Sequence, residues 1–291
     1  MRQAGIDLRG VQLMFASVIF TTYNHPRWLE KTLWGFSAQS YRDFEIIVAD
    51  DGSNEETREV VERLKTEIDI PIQHIWQADD GFQKCRIMNK AIVASRGEYL
   101  IFTDGDCIPH PEFVQNHVTL AAENTLLSGG YFKLPLDVSR AISKQDILSG
   151  DCTRPGWLLR HGVAFTPKIA KLYSHPLLGA ILDALTITRA TWNGHSSSTW
   201  KKHFIETNGF DERMQYGGQD REFGERLMNL GLKTRQVRYR CSCVHLDHGR
   251  GYARPESIAK NRSIRKYTRE HRVTRTDYGI EPNPGKASGE N

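Results

Sequence analysis

The sequence predicts an α/β fold built on a mostly parallel central sheet with helices on both faces. Apolar runs of strand length alternate with segments of helical spacing through the N-terminal part of the chain, the rhythm of βαβ units. The runs at 44–49 and 99–102 are continuous rather than alternating, as expected of strands covered on both faces. Polar and acidic residues gather where these strands end, at 21–24, 50–51, 77–81 and 104–106, the rim at which open parallel sheets take ligands.

Taken in order, residues 16–21 form the first strand. The apolar stretch 11–20 has the length of a signal-peptide core but lacks a small-residue cleavage site and runs into a turn, so a core strand is expected there. The loop Thr22-Tyr23-Asn24-His25 leads into a helix whose first turn suits Pro26 and whose Leu29, Leu33 and Phe36 keep helical spacing. Residues 44–49 form the second strand and end in Asp50-Asp51-Gly52-Ser53. An amphipathic helix over 55–66 turns Val60, Val61 and Leu64 inward, a third strand covers 71–76, and a helix covers 83–95.

In the second half, 111–123 reads as a helix, 126–134 as one strand, and 139–187 as helical pieces mixed with turns. A polar, glycine-containing segment links Trp192 to Trp200. A short helix over 201–208 closes at Gly209, and Gly217-Gly218-Gln219-Asp220 opens a helix over 221–230 that places Phe223, Leu227 and Leu230 on one face and stops at Gly231. Residues 238–246 form the last strand, leading to His245-Leu246-Asp247-His248. The tail carries Arg250, Arg254, Lys260, Arg262, Arg265, Lys266, Arg269, Arg272 and Arg275 against Glu256 and Glu270. It reads as a solvated helical face, with contact to anionic lipid or diphosphate as the sharper alternative, and fraying past Tyr278.

With 291 residues, 39% hydrophobic and 25% charged, the chain has the makings of a soluble globular protein with a proper core. A net charge of +4 is too small to indicate nucleic-acid binding without a concentrated patch. Five scattered cysteines point to free thiols in a reducing compartment, and Cys241-x-Cys243 is too tight for a zinc pair. No segment reaches the length of a membrane span, and the expected location is cytoplasmic. The absence of Gly-x-Gly-x-x-Gly after the first strand and of a Gly-Lys-Ser/Thr loop disfavours dinucleotide oxidoreductases and P-loop enzymes.

The centre of the chain is Tyr99-Leu100-Ile101-Phe102-Thr103-Asp104-Gly105-Asp106. Two carboxylates at the end of a buried strand are costly unless a cation meets them, and a divalent metal carrying a diphosphate suits hard oxygen ligands. Glycine between them allows a sharp turn and a close approach by a ligand.

Several motifs agree in order: Ser17-Val18-Ile19-Phe20-Thr21-Thr22-Tyr23-Asn24, Ile47-Val48-Ala49-Asp50-Asp51-Gly52-Ser53, Asp80-Gly81-Phe82, Tyr99-Leu100-Ile101-Phe102-Thr103-Asp104-Gly105-Asp106 with Pro109, Asn208-Gly209-Phe210-Asp211-Glu212, and Gly217-Gly218-Gln219-Asp220. On these the chain resembles the family-2 glycosyltransferases of GT-A fold, over roughly residues 16–248, with a later half similar to the galactosyltransferase-type C-terminal region. Gln219 departs from that pattern, in which Gly-Gly-Glu-Asp is usual. The resemblance implies a Rossmann-like, mostly parallel sheet in one large domain with a basic tail. It divides the chain into a nucleotide-sugar-binding half at 1–125, an acceptor-binding and catalytic half at 126–249, and a basic extension at 250–291.

The resemblance further implies a nucleotide-diphosphate sugar donor, UDP-linked in most of the family, and transfer of a hexosyl or N-acetylhexosaminyl group to a glycan or lipid-linked acceptor of a surface polysaccharide. Thr21, Tyr23, Asn24 and an acid at Asp50 or Asp51, with Asp50 preferred, resemble the base pocket. Arg86 is placed to meet diphosphate or base. Asp104, next to Gly105, resembles the acid at the ribose or at a metal-bound water, and Asp106 the direct ligand of Mn²⁺ or Mg²⁺. Related enzymes place a histidine on the metal after the last strand, which makes His245 and His248 candidates, His245 preferred; imidazole favours Mn²⁺. Asp220 is the candidate general base for an inverting displacement. Its place at a helix N-terminus predicts a lowered pKa. Gly217-Gly218 would leave room for sugars, and Trp192, Gly218 and Gln219 are candidate acceptor contacts. A basic tail near the inner face of a membrane fits peripheral contact. The competing expectations are a non-catalytic nucleotide-sugar binder of the same fold, a retaining glycosyltransferase, and a nucleotidyltransferase, which the missing glycine-rich basic loop disfavours.

Overall fold

The computed structural model describes residues 14–172, 176–249 and 254–281. The N-terminal part runs β1 (Ala16–Thr22), α1 (Pro26–Ser37), β2 (Phe44–Asp50), α2 (Glu55–Glu67), β3 (Ile72–Trp76), α3 (Lys84–Ala94) and β4 (Tyr99–Asp104). After the acidic turn come β5 (Cys107–Pro109), α4 (Phe113–Leu120), β6 (Thr125–Ser128) and β7 (Gly130–Lys133). Four short helices follow, α5 (Leu136–Ala141), α6 (Lys144–Leu148), α7 (Pro155–Arg160) and α8 (Pro176–Leu185). The chain then forms β8 (Ser197–Trp200), α9 (Lys201–Glu206), α10 (Gln219–Asn229), β9 (Lys233–Gln236), β10 (Ser242–His245) and α11 (Pro255–Glu270).

Seven strands make the main sheet in the order β3-β2-β1-β4-β8-β6-β9. The first four are mutually parallel, β8 runs against both β4 and β6, and β9 is parallel to β6. Every residue of β2 is buried, as its unbroken apolar run predicts. Alternate side chains feed two cores. Val18, Phe20, Ile101 and Val48 face Leu29, Leu33 and Phe36 of α1, while Ile19, Ile47, Leu100 and Phe102 face Ile87, Met88 and Ile92 of α3. Register brings the carboxyl ends level, Thr22 opposite Asp50 and Thr21 opposite Asp104.

A second sheet, β5-β10-β7, corrects two expectations. The single strand expected at 126–134 is two strands in different sheets, and of the one expected at 238–246 only Ser242–His245, β10, forms. The break falls at Gly129 and Gly130. A Cβ on Gly129 would stand 2.5 Å from the Cys241 carbonyl oxygen, and one on Gly130 would stand 2.7 Å from that of Arg238. Only glycine lets the chain cross between the sheets there.

The tail is docked. Asn261 of α11 donates to the carbonyls of Gln215 and Gly217, and Arg265 and Arg269 both meet Glu225 of α10. Lys260, Arg262 and Lys266 remain on its exposed face; Arg250 lies outside the described residues. The fraying expected past Tyr278 is also corrected for residues 279–281. Asn208 donates to the carbonyls of Thr276 and Glu281, and its own side-chain oxygen accepts from the Glu281 N–H. All five cysteines are free and buried. No helix among the described residues is long and apolar enough to cross a membrane.

Candidate active site

The acidic turn after β4 sits beside a lysine that sequence reading passes over. Lys84, the first residue of α3, places Nζ 2.7 Å from Oδ1 of Asp104. Burial alone would raise the Asp104 carboxyl, but the Lys84 charge and hydrogen bond hold it at about 2. Lys84 is in turn raised, because the charges of Asp104 and Asp220 outweigh its desolvation. Arg86, the expected cation, instead pairs with Asp80 at 3.7 Å and Glu212 at 3.6 Å. Two residues along a helix are about 200° around it, so Lys84 and Arg86 leave α3 on opposite sides and only Lys84 reaches the acidic turn.

Asp106 lies next to β5, whose antiparallel pairing with β10 sets His245 opposite Cys107. Nε2 of His248 is 2.8 Å from one Asp106 oxygen and Nε2 of His245 is 3.7 Å from the other. Each imidazole gives its Nδ1–H to a carbonyl, Leu246 for His245 and Gly249 for His248. That leaves both Nε2 atoms turned toward Asp106, as in histidines whose other ring nitrogen is held by a backbone carbonyl while this one meets a metal. One carboxylate and two imidazoles within 4.8 Å of one another fit a divalent cation. Both histidines converge, and His248 stands nearer than the preferred His245.

Asp220 meets this cluster across one glycine. A Cβ built on Gly194 would lie 3.2 Å from an Asp220 oxygen and 3.5 Å from Oδ1 of Asp104. Gly224, one turn beyond Asp220, creates the approach, since its Cβ would stand 2.8 Å from that of Trp192. Glycine there seats α10 directly on the 192–194 segment. Oδ1 of Asp220 is buried and has no hydrogen-bond partner among the described residues. Its carboxyl is raised to about 6, mainly by burial, with Asp104 adding to and Lys84 opposing the shift. The lowered value expected from the helix N-terminus is therefore corrected: desolvation outweighs the helix dipole. His195, the other residue beside Gly194, is pushed down to about 4 by burial.

At the expected nucleotide end, Asn24 has a φ of +49° and accepts from the Asn54 N–H, and the exposed Tyr23 hydroxyl donates to Asp79. Asp50 is fully buried, its oxygens held by the Ser53 N–H and by His74. Asp51, beside the Gly52 turn, accepts from Gln77 and from the Gln83 N–H, and burial raises it to about 6. Of the two, Asp51 faces the Tyr23–Asp79 loop side of the rim, against the preference for Asp50. Thr21 contributes its carbonyl, which accepts from the Gly105 N–H at 3.0 Å. Gly105 is glycine for that contact, since its Cβ would stand 2.6 Å from the Thr21 oxygen; the close approach is made by backbone, not by a ligand.

Three acceptor candidates are corrected by packing. Trp192 is 1% exposed and its ring packs edge-on against Phe102, Phe204 and Phe223 at 5.0–5.5 Å, so it is core. Gln219 is buried and its side-chain oxygen accepts from the Gly217 N–H at 2.9 Å, a contact that glutamate would make equally well. The space expected over Gly217 and Gly218 is taken by Ile258 and Arg265 of α11.

Comparison with known proteins agrees with this layout. Residues 17–154 match the glycosyl transferase family 2 profile, and residues 188–249 match the profile described as the N-terminal domain of galactosyltransferase. The chain is 28% identical over 234 residues to a chondroitin synthase of Escherichia coli, covering 76% of this chain and 33% of that protein. It is 27% identical over 266 residues to the uncharacterized glycosyltransferase YfnE of Bacillus subtilis, covering 81% and 65%. It spans about a third of the length of the first curated relatives. Among solved structures, the mannosyltransferase PcManGT of Pyrobaculum calidifontis, in complex with GDP-Man and Mn²⁺, superposes with a TM-score of 0.53 at 20% identity, covering 81% of this chain and 58% of that one. S. aureus TarS 1-349 with UDP-GlcNAc gives 0.59 at 14% identity, covering 89% and 69%. The expected GT-A arrangement of an α/β sheet is the observed fold.

Proposed function

We propose that this chain, whose residues 17–154 match the glycosyl transferase family 2 profile, moves a sugar from a UDP-linked donor to a hydroxyl of a glycan or lipid-linked acceptor, with inversion at the anomeric carbon and dependence on a divalent cation. The observation that carries this reading is the position of Asp220, its buried Oδ1 without a partner among the described residues, across Gly194 from the Asp104 turn.

Asp220 takes the proton of the acceptor hydroxyl as that oxygen bonds to the anomeric carbon, and the carbon–oxygen bond to the diphosphate breaks on the opposite face. A carboxyl near 6 suits a base working around neutral pH: ionised, yet more basic than a solvated aspartate. Lys84 holds Asp104 ionised at the donor side. Asp106, His245 and His248 would hold Mn²⁺ or Mg²⁺, which when bound supplies positive charge to the departing diphosphate. Thr21, Tyr23, Asn24 and Asp51 form the rim for the base and ribose. The complexes of the fold neighbours with UDP-GlcNAc and GDP-Man support a nucleotide-sugar donor. The exposed cations of α11 are consistent with contact to an anionic membrane surface.

The test is a screen of UDP- and GDP-sugars with Mn²⁺ or chelator, followed by NMR of the product anomer. Metal-dependent nucleotide release with an inverted product is expected. Donor binding without turnover of any donor would leave only a nucleotide-sugar binder, and a retained anomer would replace the mechanism.

A further inference from the structure

A cavity of about 590 Å³ opens beside the segment that carries Gly194 and the start of α10. Asn193 and His195, which bracket Gly194, line it together with Arg221, the residue after Asp220. Asp104, Asp106, Lys84, His245 and His248 do not line it, and the Tyr131 ring in its wall lies 5.6 Å from that of His245. Five further or neighbouring cations stand in its wall: Lys171, Arg189, Arg221, Arg238 and Arg272. Arg265 and Arg269 also line it, but Glu225, its one lining carboxylate, takes up their charge. Among the described residues, none of the first five has a carboxylate partner. Lys171 is lowered by burial and by Arg238 and Lys168. Cations from loops, turns and a helix start thus converge on one hollow, and a neutral ligand would leave them unneutralised.

Building on the transferase reading, we propose that the acceptor carries an acidic group, a carboxylate or a phosphate, close to the hydroxyl that is glycosylated, and that this cavity binds it. Arginine forks suit both oxyanions. Asn193 and His195 then lie against the acceptor sugar and Asp220 beneath its hydroxyl.

The test is calorimetric binding to the full chain, with and without UDP and Mn²⁺. The probes are a uronic-acid-containing oligosaccharide, a sugar diphosphate bearing a short alkyl chain, and a neutral N-acetylhexosamine oligosaccharide. An acidic probe is expected to bind about tenfold or more tighter than the neutral one, the preference weakening with salt. Arg189→Ala with Arg272→Ala, both exposed and so compatible with folding, should abolish that preference, while Arg58→Ala on α2 leaves it intact. Preference for the uronic probe alone identifies a carboxylate, and for the diphosphate alone a phosphate. Equal binding of neutral and acidic probes, or a preference that survives the double substitution, overturns the proposal. Failure of UDP binding or of donor turnover would count against the transferase reading instead, since the acceptor comparison is also made without UDP.

Discussion

Nζ of Lys84 stands 2.7 Å from Oδ1 of Asp104, with Asp220 close enough for both acids to act on the same ammonium. This one cation keeps two carboxylates in a single cleft. Lys84→Met removes it and leaves Asp104 partly buried and uncompensated. Loss of about 3 kcal/mol in urea unfolding is expected, together with weaker UDP binding. An unchanged unfolding midpoint would show that the pair contributes nothing.

Asp220→Asn should abolish transfer and preserve UDP binding. It should also stabilise the protein at neutral pH. The folded carboxyl titrates near 6 against an ordinary 3.8. The fold therefore disfavours the charged form, a penalty present in full above about pH 6 and absent below the unfolded value. The variant should gain up to about 3 kcal/mol at pH 7 and nothing near pH 3.5. Melting curves across pH read this out, and a pH-independent gain would contradict it.

The same ionisation sets the pH profile of turnover. With saturating donor, the rate should fall about tenfold per unit as pH drops below about 6, as the base takes up its proton. A flat profile from pH 5 to 8 would remove Asp220 from the proton transfer.

Asp106→Ala should eliminate the metal-dependent part of UDP affinity. His245→Ala and His248→Ala should each weaken it, because both Nε2 atoms face Asp106. Titration of UDP with Mn²⁺ and with chelator provides the comparison. Equal affinity in the two conditions for the unsubstituted protein would sink the metal assignment.

Gly194→Ala tests the narrowest point of the cleft. Its methyl would stand 3.2 Å from an Asp220 oxygen, a contact the carboxylate relieves by shifting a few tenths of an ångström, and 3.5 Å from Oδ1 of Asp104, so the fold should survive while the acceptor hydroxyl loses its place. A fall in kcat/KM of about a hundredfold with an unchanged melting temperature is expected. Wild-type turnover would mean that acceptors do not pass Gly194.

Much of this site was legible from local pattern. Strand ends carry their polar residues in sequence, so Asp104 and Asp106 could be nominated without coordinates, and the family resemblance added Asp220 and the two histidines. What escaped depended on helix phase or on distant packing. Lys84 and Arg86 differ only in the direction a helix turns them. Trp192 lies between polar residues, and nothing local says that four aromatic rings close around it. Arg226 and Glu222 look like a surface i,i+4 pair, yet both are buried, tied also to the Thr207 carbonyl and the Thr268 hydroxyl. Arg265 and Arg269 read as solvated because their partner, Glu225, belongs to another helix.

The docking of residues 276–281 onto Asn208 has a consequence for biosynthesis. Asn208 waits for a partner 73 residues downstream. Strands β1 to β4 can assemble as they leave the ribosome, but the loop leading to Asp220 gains this anchor only after Glu281 has emerged. The nascent chain therefore completes the rim at the ends of β1 to β4 well before the segment leading to Asp220 is anchored.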